Sequence, residues 1–124
     1  MKTIDEKRKQ WLDTHLKPYL ENPSNRAMNG EVCCYRTPDG RKCIIGQDIP
    51  DKKYIPIMDD ITNSSISCND YVVDVIPKST KDLGMDFLKD CQNLHDMSSH
   101  WNAEGLSKQG QECYERIIYK YCQP

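Results

Sequence analysis

The chain has 124 residues, 37% hydrophobic and 29% charged, with a formal net charge of -2 and an isoelectric point near 5.9. That length suffices for a modest core and fits a single domain over residues 1–124. The slight acidity supplies no basic field to steer the chain onto nucleic acid or an anionic membrane, and no apolar run approaches the roughly 18 residues that span a bilayer. The segment Asp5-Glu6-Lys7-Arg8-Lys9 is unlike the apolar core of a secretory leader, so a cytoplasmic location is expected. The seven cysteines are an odd number, which without an export leader argues against a disulfide framework. Most are expected to be buried free thiols acting as small hydrophobes.

In chain order, Thr3 and Glu6 form a capping-box pattern. Ile4, Trp11, Leu12, His15, Leu16, Tyr19 and Leu20 share one helical face, predicting an amphipathic helix over residues 3–20. Pro18 removes a donor and crowds the preceding turn, so a kink or an end near Lys17 is expected. A polar loop at residues 22–26 leads to the most informative stretch, residues 33–46, which reads as a hairpin. Pro38, Asp39 and Gly40 have the chemistry of its turn, with Gly40 expected at positive φ. Pairing Thr37 with Arg41 sets Tyr35 opposite Cys43. Alternation then puts Cys33, Tyr35, Cys43 and Ile45 on one face, and Cys34, Arg36, Lys42 and Ile44 on the other.

Ile49-Pro50-Asp51 is a second turn signal. Ile55-Pro56-Ile57 and residues 59–69 read as irregular connection. Residues 71–76, rich in β-branched side chains and stopped by Pro77, predict a strand. Phe87, Leu88, Cys91, Leu94 and His95 then make a helical stripe. Gly105 breaks the chain, and Ser107 caps a last helix with a stripe of Cys113, Tyr114, Ile117, Ile118 and Tyr121, leaving Tyr119 to solvent. Trp101, just before that helix, is expected to pack. The whole reads as α+β, about three helices packed around a small β-hairpin or short antiparallel sheet.

Two blocks of the chain resemble a family of small uncharacterised proteins of tailed phages, prophages and bacterial genomes. The first block is Cys33-x-Tyr35-Arg36, then Asp39-Gly40-x-Lys42-Cys43-x-Ile45-Gly46, then Ile49-Pro50-Asp51 with Tyr54. The second is Asp86-Phe87-Leu88 followed by Gln92-x-x-His95-Asp96. Together they cover about half the chain. The middle segment has fewer leucines than the family pattern, and Cys91 stands where such proteins are aliphatic, which marks Cys91 as a core substitution. The resemblance implies a phage or mobile-element origin and no particular reaction.

Three constellations carry candidate chemistry. Cys33 or Cys43 with His95 has the parts of a thiol-dependent enzyme, a sulfur nucleophile and a base. Asp96 is a poor orienter of that base, because neighbouring helical residues point about 100° apart. Cys33, Cys43, Cys91 and His95 have the donor types of a tetrahedral zinc site, without any close cysteine pair of the usual spacing. Arg36, Arg41 and Lys42, with Tyr35, form a basic hairpin tip suited to a small anion or an acidic partner.

The bland reading is a core of thiols around a neutral, hydrogen-bonded His95 and a solvated basic edge. No cofactor is expected, and exposed aromatics interleaved with cations, as base stacking needs, are lacking. The sequence therefore favours a cytoplasmic accessory protein that binds a host or phage partner, a protein or a small anionic ligand. A thiol enzyme and a phage structural protein are the alternatives.

Overall fold

The computed structural model describes residues 2–30, 32–60, 66 and 69–123. Helix α1 spans Ile4–Glu21, and the Thr3 hydroxyl accepts from the Glu6 amide at 3.2 Å as its N-cap. The helix continues through Pro18, past the end expected near Lys17. Leu12, Leu16 and Tyr19 are buried along one face, and that packing outweighs one missing donor. Ile4 and Leu20, at the two ends of the predicted stripe, are exposed.

Strand β1 (Met28–Asn29) pairs antiparallel with β2 (Val32–Cys33), and Met28 lies opposite Cys33. Cys33 thus belongs to a ladder upstream of the predicted hairpin. The hairpin itself is a single bridge between Arg36 and Lys42. Beside it, Thr37 N donates to Arg41 O at 2.9 Å and Cys43 N to Tyr35 O at 3.2 Å. This is the expected register, and Gly40 sits at φ 91° in the turn. After Cys43 the chain leaves the extended path for a 3-10 turn at Gly46–Asp48. Ile44 is consequently buried beside Ile45, although alternation assigns it to the opposite face. Gly46 makes this exit possible, since a Cβ there would overlap the Tyr35 carbonyl oxygen.

A second 3-10 turn, Asp51–Lys53, follows Pro50. Helices α2 (Ile57–Asp60) and α3 (Asp70–Val73) are single turns, so Ile57 and its followers are helical where irregular connection is predicted. Residues 61–65, 67 and 68, which hold most of that predicted connection and the seventh cysteine, lie outside the described residues. The strand predicted over 71–76 gives way to α3. The Asn69 side chain accepts from Val72 N at 3.3 Å and donates to Met58 O at 3.0 Å. An anchored N-cap therefore fixes a helical turn where β-branched residues favour extension.

Helix α4 (Lys78–Lys81) precedes α5 (Met85–Asp96), in which all five predicted stripe residues are buried. Strands β3 (Trp101–Asn102) and β4 (Gly105–Leu106) form a second antiparallel ladder. Helix α6 (Lys108–Tyr121) starts at Ser107, whose hydroxyl accepts from Gly110 N at 3.1 Å. It packs on α5 and on the Ser98–His100 turn, while α1 packs on α6 and β4. Trp101 is buried and donates from Nε1 to Leu94 O at 3.0 Å. Tyr119 is 77% exposed, as expected.

The class is α+β. The described residues contain three longer helices, three single-turn helices and two two-stranded ladders. Among the described residues no helix is long and apolar enough to cross a membrane.

Candidate functional site

The thiols and His95 are brought near one another in the fold but not into a reactive pair. His95 is fully buried on α5. Its Nε2 accepts from the Ala27 amide at 3.3 Å, so that nitrogen carries no proton. Its Nδ1 then holds the single proton and donates it to Asp96 Oδ1 at 2.6 Å. Asp96, the last residue of α5, does orient the ring through this bond, contrary to the expectation from helical spacing. The nitrogen left to act as base is the one capped by the backbone.

Cys33 Sγ lies 3.3 Å from both Met28 Sδ and the Asp96 carbonyl oxygen. Cys43 Sγ accepts from Gly46 N at 3.2 Å. Burial, with the nearby Asp96 carboxylate, pushes the Cys33 thiol up to about 12 and the Cys43 thiol well above its ordinary range. Both sulfurs are thus held as thiols at neutral pH, the unreactive form. Cys91 is buried among Cys122, Asp90 and Cys113. The proposed zinc set does not assemble: among the described residues no three His, Cys, Asp or Glu side chains are placed to share a metal ion.

The buried end of α5 is closed by Arg26. Its Nε donates to His95 O at 2.8 Å and its Nη2 to Asp96 O at 3.1 Å, with the guanidinium 5.4 Å from the Trp101 ring centroid. A cation at a helix C-terminus satisfies orphan carbonyls and matches the macrodipole. A second, half-buried cluster went unread in the sequence. Asp48 takes His15 Nε2 at 2.7 Å on one oxygen, and Trp11 Nε1 at 2.8 Å with Thr80 Oγ1 at 2.7 Å on the other. Burial pushes this carboxyl up, but the His15 contact and the donors from Thr80 and Trp11 outweigh it and hold it low. The Thr80 hydroxyl donates into the carboxylate, so the cluster ties α1, the 3-10 turn and α4 together and presents no nucleophile.

The basic residues of the hairpin separate into two groups. Arg41 spends its donors inward: Nε on both oxygens of Asp39 at 3.0 and 3.1 Å, Nη1 on Ser24 O at 3.2 Å and Arg26 O at 3.0 Å, and Nη2 on Met28 O at 2.7 Å. Tyr35 is 5% exposed, its hydroxyl accepting from Gln92 Nε2 at 3.1 Å. Tyr35 is thus a core residue, and Arg41, though its side chain is 34% exposed, has each of its nitrogens engaged within the chain.

Arg36 and Lys42 do converge. Arg36 Nη2 lies 3.0 Å and Lys42 Nζ 3.4 Å from the same atom, Asp51 Oδ1. Arg36 Nη2 also donates to Ile49 O at 3.3 Å, and its guanidinium carbon sits 4.7 Å from the Tyr54 ring centroid. The Tyr54 hydroxyl donates to Asp59 Oδ2 at 2.5 Å, and Asp59 accepts from the Tyr35 and Arg36 amides at 2.6 and 3.2 Å. Asp59 thereby fixes the ring under the guanidinium. Arg36 Nε is enclosed and has no hydrogen-bond partner among the described residues, an omission worth roughly 1–3 kcal/mol in a folded protein. Asp51, by contrast, has a side chain 77% exposed.

Asp51, Tyr54 and Asp59 were not among the sequence-predicted site residues. The signal for two of them was present, since Asp51 and Tyr54 belong to the same motif block as Arg36 and Lys42. Nothing local in the sequence marked Asp59. The chain matches no family model, no curated protein and no solved structure.

Proposed function

We propose that this protein is a small accessory protein of phage or mobile-element type that works in the host cytoplasm by binding a partner, with the Arg36–Lys42 edge as its contact for an acidic group. The observation that carries this reading is the convergence of two cations, from opposite arms of the hairpin, on one exposed carboxylate oxygen. An arginine held over an aromatic ring loses little freedom when a ligand arrives, which favours binding. The phage origin rests on the motif resemblance. The net charge of -2 and the inward use of Arg41 weigh against a nucleic-acid backbone as the partner. Catalysis gains no support from thiols held protonated beside a histidine whose free nitrogen faces an amide.

The test is affinity capture from host lysate by the wild-type chain and by the Arg36→Gln/Lys42→Gln variant, with the fold of each checked by circular dichroism. A partner retained by the wild type and lost by the folded variant is the expected result. Equal capture by both overturns the edge as the contact.

A further inference from the structure

The anion seat at the Arg36–Lys42 edge is already filled, and the occupant belongs to the same chain. We infer that Asp51 is a built-in competitor, whose carboxylate holds the place of an Asp or Glu side chain from an acidic segment of the partner and swings out when that segment binds. This rests on the binding reading above and adds the regulation of that site.

Three features carry it. First, the occupant is loosely committed. Asp51 reaches both cations through Oδ1 alone, and its side chain is 77% exposed, so rotation into water meets little resistance. Its backbone has a separate anchor, since Lys53 N and Tyr54 N both donate to Pro50 O, at 2.8 and 3.1 Å. The side chain can leave without unmaking the turn.

Second, the seat persists without its occupant. Tyr54 and Ile49 O hold the Arg36 guanidinium, and Asp59 holds Tyr54. Third, the seat is under-filled. Asp51 meets both cations through Oδ1 alone. A carboxylate carries two oxygens and can give each cation its own. A partner carboxylate that sets one oxygen on Arg36 Nη2 and the other on Lys42 Nζ is therefore the better ligand.

An internal ligand lowers the apparent affinity of an external one in proportion to the fraction of time that it fills the seat. For an exposed pair of this kind, removing the competing charge is expected to tighten binding about fivefold. The measurement is an NMR titration of the full-length chain with a capped tetraglutamate peptide at low ionic strength, comparing wild type, Asp51→Asn, Arg36→Gln and Glu104→Gln. The last removes an equal charge at the tip of the other hairpin. Inorganic phosphate is titrated in parallel.

The expected result is a gain of about fivefold for Asp51→Asn, no gain for Glu104→Gln, and shifts centred on Arg36, Lys42 and Tyr54. If the peptide binds wild type and Asp51→Asn equally, and Arg36→Gln abolishes binding, the competitor is overturned while the binding edge stands. If neither wild type nor Asp51→Asn binds, both readings fall. An equal gain in Glu104→Gln overturns the inference in favour of plain net charge. Tighter binding of phosphate than of peptide by Asp51→Asn overturns the choice of a carboxylate.

Discussion

The two flanks of the 37–41 turn begin with the same chemistry, an arginine on an extended arm, and put it to different uses. On one flank Arg41 reaches over the segment from the Pro23–Asn25 3-10 turn to the start of β1 and ties the carbonyls of Ser24, Arg26 and Met28 to the hairpin. On the other flank Arg36 lies on Tyr54 and shares one exposed carboxylate with Lys42. The first arrangement is a clamp. The second is an edge with a removable occupant. The difference teaches that a cation's availability is decided by the acceptors that its neighbours offer, and residue type alone says little about it.

The sharpest way to break the comparison is at the joint that both flanks share. Gly46→Ala sets a Cβ into the Tyr35 carbonyl oxygen, and a backbone atom cannot step aside as a side chain can. The expected loss is about 3 kcal/mol in urea unfolding. A stability within about 0.5 kcal/mol of wild type would mean that the close approach is absent.

The flanks themselves should differ next. Arg41→Ala strands several carbonyls and is expected to cost about 2–3 kcal/mol. Arg36→Ala removes a partly exposed pair and a ring contact, and about 1 kcal/mol or less is expected. Equal losses would erase the distinction between clamp and edge.

The turn between the flanks comes third. Gly40→Val forces a branched residue to positive φ, and about 1 kcal/mol or more is expected. An unchanged melting temperature would contradict the turn geometry.

The smallest effect is a titration. Hydrogen bonds from Thr37 and then Arg41 hold the Asp39 carboxyl below its ordinary range. A lowered carboxyl supports the fold above the ordinary range, and that support disappears as pH falls through the lowered value. NMR titration of Arg41→Ala should move Asp39 back toward the ordinary range, and added salt should weaken the wild-type shift because the group is exposed. An Asp39 that titrates identically in both chains would remove Arg41 from the account.

The sequence made the local features legible and left the long-range ones hidden. The register about Thr37 and Arg41, the positive φ of Gly40, the stripe of α5 and the caps at Thr3 and Ser107 all depend on residues within a turn or two of one another. Residues 71–76 misled because their β-branched content was read without Asn69, whose side chain reaches Met58 O and fixes a helical turn. At Pro18 the sequence left a kink or an end near Lys17 open, and the end falls away because the burial of Leu16 and Tyr19 carries the helix on to Glu21.

At the candidate site, charge singled out Arg36, Arg41 and Lys42 alike, and only the fold shows that Arg36 and Lys42 share Asp51 while Arg41 turns to three carbonyls. Asp59 had no local signal, because its role depends on meeting two amides 23 and 24 residues away. His95 followed expectation, buried and bonded through both nitrogens. Its partners Ala27 and Asp96 had to come from the fold.

The guanidinium that closes α5 also bears on the order of events as the chain folds. Arg26 and Ala27 meet the end of that helix across 68 to 70 residues of sequence. Until this large loop closes, the last carbonyls of α5 depend on water, and His95 has no amide at Nε2. Closing such a loop costs entropy that local contacts cannot repay, which slows the step. During synthesis the segment around Arg26 therefore waits for its partner until residue 96 has left the ribosome. The hairpin turn, complete within five residues, has formed long before.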